Sequence, residues 1–133
     1  KQNDAVYNSL IEQVLNSQKK EKVAENSIQR LTKARILQTL NDNWNVVSIN
    51  RLPNYEKYVI ILELKIDENG YISGPIKLVY PQKASGNFEI AKRSAINAVL
   101  ESSPFPVAKE IFPRGLVLRV VFDPKTNVGV NNG

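Results

Sequence analysis

The chain has 133 residues and 15.0 kDa, with 42% hydrophobic and 23% charged residues, which suits one modest core and argues against global disorder. It holds no His, Cys or Met, so disulfides and His- or Cys-based triads are excluded and zinc, copper and haem lose their usual ligands; no cofactor or metal is expected. The formal charge is +5, yet the eighteen Lys and Arg are scattered, and the one dense run, Lys19-Lys20-Glu21-Lys22, contains an acid; clustering marks a nucleic-acid footprint, so no nucleic acid is expected as a partner.

The first third reads as helix. Tyr7, Leu10, Ile11 and Val14 fall at i, i+3, i+4 and i+7. Residues 16 to 27 turn polar, most densely from Asn16 to Lys22, and with no Gly or Pro to force a break the stretch reads either as a linker or as a solvated part of one long helix. A second helical stretch runs from about Asn26 to Trp44 with Ile28, Leu31, Leu37, Leu40 and Trp44 on its apolar side. Asn41-Asp42-Asn43 weakens its end, and Asn50 to Asn54, with Pro53, makes a loop. As the single tryptophan, Trp44 reads as a core plug, and so do Phe88, Phe105 and Phe112.

Tyr58, Ile60, Leu62, Leu64 and Ile66 then alternate with Val59, Ile61, Glu63 and Lys65. A period of two is a strand, and its first half is apolar on both faces. Asn69-Gly70 supplies a tight turn, and a second strand is expected from Tyr71 to Tyr80, at a sheet edge because Pro75 cannot donate to a ladder. Asn87 is expected to cap a helix running to about Ser102, with Glu89 in its first turn. Phe88, Ala91, Ala95, Ala98 and Ser102 form its narrow stripe, widened by Ile96, Val99 and Leu100. Pro104-Phe105-Pro106 stops that helix, and a last strand spans Leu116 to Phe122 before Pro124. Residues 125–133 read as a polar, flexible tail.

This order, helix-strand-strand-helix-strand, predicts an α+β fold: a three-stranded antiparallel sheet with helices packed on one face. The Tyr58–Ile66 strand should lie in the middle, with Tyr71–Tyr80 and Leu116–Phe122 as the two edges. No stretch approaches the roughly 20 apolar residues that cross a bilayer. The chain starts abruptly at Lys1 without a signal peptide, which reads as an excised fragment.

No G-x-S-x-G, phosphate loop or metal-ligand spacing is present, Asp67 and Glu68 are turn acids, and Glu63 with Lys65 reads as a weak surface pair. The expectation is therefore a binding domain and not an enzyme. An unpaired edge strand offers N–H and C=O groups that a partner's strand can complete. The candidate binding residues are Leu116, Val117, Leu118, Arg119, Val120, Val121 and Phe122, with Arg119 positioned to pin an acidic partner and Val117 and Val121 as small apolar footholds. The competing reading is that Val117 and Val121 pack under a helix or loop.

Several pieces, taken together and in order, resemble the C-terminal domain shared by TolA and TonB energy-transducing proteins, over about residues 28–124. They are Asn43-Trp44-Asn45 ending a helix, the strand and turn Val59 to Gly70, Ser85-Gly86-Asn87 before the second helix, the helix carrying Ala91, Ala95 and Ala98, the exit Ser103-Pro104-Phe105-Pro106, Phe112, and the closing Phe122-Asp123-Pro124. TolA suits better than TonB, because Tyr80-Pro81 follows the second strand here, where TonB domains place Tyr-Pro before the first. Many TolA domains carry a cysteine pair that this chain lacks.

The resemblance implies the periplasmic domain of an inner-membrane-anchored component of the Tol-Pal envelope-integrity system. A membrane anchor and a helical stalk would lie upstream, with residues 1–27 as stalk end or linker and 28–124 as the binding domain. It implies TolB-like protein as partner, with Pal, outer-membrane proteins, colicins or phage coat protein as further ones. The alternatives are a TonB-type domain binding outer-membrane transporters and a basic nucleic-acid-binding module.

Overall fold

A computed structural model describes residues 22–130, with side chains from residue 27. The elements in order are α1 (Lys22–Asn43), a short α2 (Val47–Asn50), a 3-10 turn (Tyr55–Lys57), β1 (Ile60–Ile66), β2 (Lys77–Tyr80), α3 (Asn87–Ser102), β3 (Leu116–Phe122) and β4 (Val128–Val130). The Tyr7–Val14 stripe and the Lys19-Lys20 run lie outside the described residues. No described helix is long and apolar enough to cross a membrane.

The α+β class stands, but among the described residues the sheet has four strands and not three. All are antiparallel in the order β2-β1-β3-β4. β1 is central, as its two-sided apolar character requires. Its alternation decides the packing: Ile60, Leu62, Leu64 and Ile66 are buried, while Ile61 and Glu63 are half-buried and Lys65 is exposed. Leu118, Val120 and Phe122 of β3 share the buried face through the ladder. Ile36 and Leu40 from α1, Trp44 just after it, and Ala91, Ala95, Ala98 and Val99 from α3 complete this core, so both long helices lie on one side of the sheet.

α3 approaches closely because its buried stripe is built of small residues. Ser102, at the end of the stripe, donates to Ala98 O (2.6 Å) and accepts from Asn43 Nδ2 (2.9 Å), tying the C-terminal ends of α1 and α3 together. Two details of this helix differ from expectation. Asn87 is its first residue and not its cap: Gly86 holds the capping position with φ +58°, and Asn87 Nδ2 donates to the Tyr58 hydroxyl (3.2 Å). Leu100 does not widen the stripe, since it points to solvent at 57% exposure.

The second strand is shorter than its sequence pattern. Gly74 takes φ +80° and Pro75 follows, so the ladder from the turn survives only as a bridge between Ile66 and Ile72, and regular pairing resumes at Lys77. The turn itself spans Asp67 to Tyr71. Asp67 Oδ1 accepts from the N–H groups of Asn69 and Tyr71, both at 2.9 Å, and Asp67 N–H donates to Tyr71 O. Asp67 is thus a turn-building acid.

Candidate protein-binding edge

The seven predicted binding residues form β3 itself. Along one side each pairs with β1, from Leu116 opposite Ile66 to Phe122 opposite Ile60. The other side is divided. Val120, Val121 and Phe122 pair with Val130, Gly129 and Val128 of β4, so the expected free edge is covered over this half. Leu116 to Arg119 have no strand beside them among the described residues. The expectation of an edge running the full length of Leu116–Phe122 is therefore corrected: the first four residues are an edge and the last three are interior.

β4 comes from the segment read as flexible tail. Three residues with one glycine are too few to display a period of two, which is why the strand escapes a sequence reading. A turn delivers it: Asp123 Oδ1 accepts from Lys125 N–H (2.9 Å), and Thr126 N–H donates to Asp123 O (3.1 Å). The strand is then gripped from the helix layer. Val128 N–H donates to Asn41 Oδ1 at 2.9 Å, while Asn41 Nδ2 donates to Leu37 O at 3.0 Å and lies 3.4 Å from Val128 O. Asn41, which reads from sequence only as a residue that weakens a helix end, is thereby a contact to the backbone of the strand beside β3. Val128 is buried at 4% exposure and Val130 is half-buried, whereas Gly129 lies on the opposite face.

The side chains of β3 divide by face. Leu118, Val120 and Phe122 point into the core. Val117 is 59% exposed, so it does not pack under a helix or loop; Val121 is half-buried opposite Ile61. Arg119 Nε donates to Glu63 Oε1 at 3.0 Å, directly across the ladder. The register thus pairs Glu63 with Arg119 and not with Lys65, since cross-strand neighbours stand closer than i, i+2 residues on one strand. On this uncovered face the sheet shows an apolar ridge, Tyr80, Ile61 and Val121, beside the ion pair and Lys65, Lys77 and Val117.

The outer side of β2, from Lys77 to Tyr80, is the second edge without a strand beside it among the described residues, as expected for that strand. Tyr80 is 46% exposed and stands edge-on to Phe88, which in turn packs edge-on against Tyr58. Among the described residues no group of three or more acidic side chains gathers as a metal site. No protein-family model matches this chain, and neither the curated proteins nor the solved structures contain a significant match to it.

Proposed function

We propose that this chain is a protein-binding domain, the C-terminal domain of a TolA-like envelope protein, and that it holds an extended segment of its partner by strand addition along the outer side of β3. The observation that carries the reading is the half-open edge: Leu116 to Arg119 present backbone groups on a rigid strand whose other side is fully paired. Val117 and the Glu63–Arg119 pair flank this stretch on the uncovered face, offering an apolar foothold and a cation to side chains of an added strand. Helices on one side of an antiparallel sheet are also the arrangement that the resemblance to TolA and TonB domains implies.

In this reading the partner is a TolB-like periplasmic protein. Pal, outer-membrane proteins, colicins and phage coat protein are further candidates, and the domain works in the periplasm at the end of a membrane-anchored stalk. A TonB-type domain would use the same edge for a segment of an outer-membrane transporter. The test is calorimetric titration with the N-terminal segment of the TolB-like protein from the same genome, unmodified and with alternate backbone nitrogens methylated. Strand addition predicts at least tenfold weaker binding for the methylated segment that loses its ladder donors, about 1.4 kcal/mol. Equal affinity for the unmodified segment and both methylated registers contradicts it.

A further inference from the structure

Strand addition places the partner on an edge of which β4 already occupies nearly half. We propose that β4 is an exchangeable cover: the seat between Asn41 and Val120–Phe122 takes either the chain's own Val128–Val130 or an extended partner segment with small β-branched residues two positions apart. This inference rests on the strand-addition reading above and assigns the seat, its occupant and its regulation.

Three observations carry it. First, the hold on β4 is mostly a hold on backbone. Asn41 Oδ1 accepts from the Val128 N–H, and the ladder to β3 is main-chain throughout. Such contacts are blind to side-chain identity, so a different strand can make them equally well. Second, the side-chain demand of the seat is small and explicit. Val128 fills a core position, Val130 is half-buried, and between them Gly129 adds no side chain to the open face. Any segment with a valine-sized residue at those two spacings satisfies it. Third, β4 is three residues long on a strand of seven. An incoming strand antiparallel to β3 can pair first with Arg119 to Leu116, beside which no described strand lies, and then replace Val130, Gly129 and Val128 in succession. The open half thus acts as a landing site and the covered half as the exchanged one. Asn41 is a positioning residue for whichever strand is present.

The test uses the full chain and a probe of known sequence, a synthetic peptide of residues 123–133. Against the Val128→Asp chain, whose own β4 is expelled by a charge at a core position, the peptide is expected to bind at least tenfold more tightly than against the unaltered chain. Amide shifts should fall at Val120 to Phe122 and at the Asn41 side-chain amide, and the same peptide with Asp at the Val128 position should lose binding. Equal binding to both chains, or none to a Val128→Asp chain that keeps its α+β circular dichroism, overturns the proposal.

Hydrogen exchange on the unaltered chain supplies a second reading that does not depend on the variant folding. The Val128 amide should exchange at least about a hundredfold faster than β3 amides bonded to β1, because a cover opens without global unfolding. Equal protection overturns the proposal. The two inferences separate cleanly: a partner segment that binds while Val128 protection is unchanged defeats the cover and leaves strand addition standing. Uptake of the peptide by Val128→Asp, with no partner segment binding either chain, leaves the exchangeable seat and defeats the partner reading.

Discussion

Trp44 sits at the junction of the helix layer and the sheet, 9% exposed, with its ring edge-on to Phe122 at 5.5 Å between centroids and 70° between planes. Its indole Nε1 is buried without a hydrogen-bond partner among the described residues. A buried donor left unmade costs about 1–3 kcal/mol, which offsets part of what the ring contributes by packing. Trp44→Phe keeps most of the aromatic contact and removes the orphaned N–H, so it should cost less than about 1.5 kcal/mol, against about 3–5 kcal/mol for Trp44→Ala. Urea denaturation of the two variants measures the difference; equal losses would show that the indole nitrogen is satisfied. Gly70 is the second residue on which local geometry turns. It takes φ +91°, its carbonyl accepts from Phe105 N–H at 2.6 Å, and a Cβ there would collide with the Phe105 carbonyl. Gly70→Ala should therefore destabilise by at least about 2 kcal/mol, read from the same denaturation curves. The sequence shows Asn69-Gly70 as a turn and Trp44 as a core plug, and both readings hold. It does not show that the carbonyl of Gly70 carries the Phe105 loop, because that contact joins positions 35 residues apart.

At the scale of elements, strong periodicity was the reliable signal. β1 and the full length of α3 are legible because alternation and the alanine stripe persist over 7 and 16 residues. β2 is overdrawn in its sequence pattern because Gly74 and Pro75 break the backbone while the apolar alternation continues through them. β4 is invisible because its burial depends on a ladder and on Asn41, neither of which is a local property. Val128→Ala tests this strand directly. Removing the two methyl groups from a core position should cost about 2 kcal/mol, where a mobile tail position would change stability by less than about 0.5 kcal/mol. The Glu63–Arg119 pair joins β1 to β3 on the uncovered face, with side-chain exposures of 18% and 47%. Screening at that exposure limits its worth, so a double-mutant cycle of Glu63→Gln and Arg119→Gln should give a coupling below about 1 kcal/mol. A larger value would mark the pair as part of the sheet's framework, with Arg119 no longer free to turn toward a partner.

At the scale of the molecule, the helix layer closes one face of the sheet, and among the described residues nothing covers the other face or two lengths of edge. The class of fold follows from the order of periodic segments, and β1 as the middle strand follows from its two-sided apolar pattern. The site is legible only in part. β3 is the proposed binding strand because a three-strand order places it at an edge and because of the resemblance to TolA and TonB domains, but the division of its edge at Arg119 comes from tertiary pairing that a three-strand reading leaves out. The measurement that bears most directly on the central claim is an NMR titration of the labelled chain with the N-terminal segment of the TolB-like protein from the same genome. Strand addition on β3 predicts amide shifts concentrated from Leu116 to Phe122, with the Asn41 side-chain amide and Val128 moving as the segment replaces β4. Saturating segment that shifts Lys77 to Tyr80 alone, or shifts nothing, would contradict it.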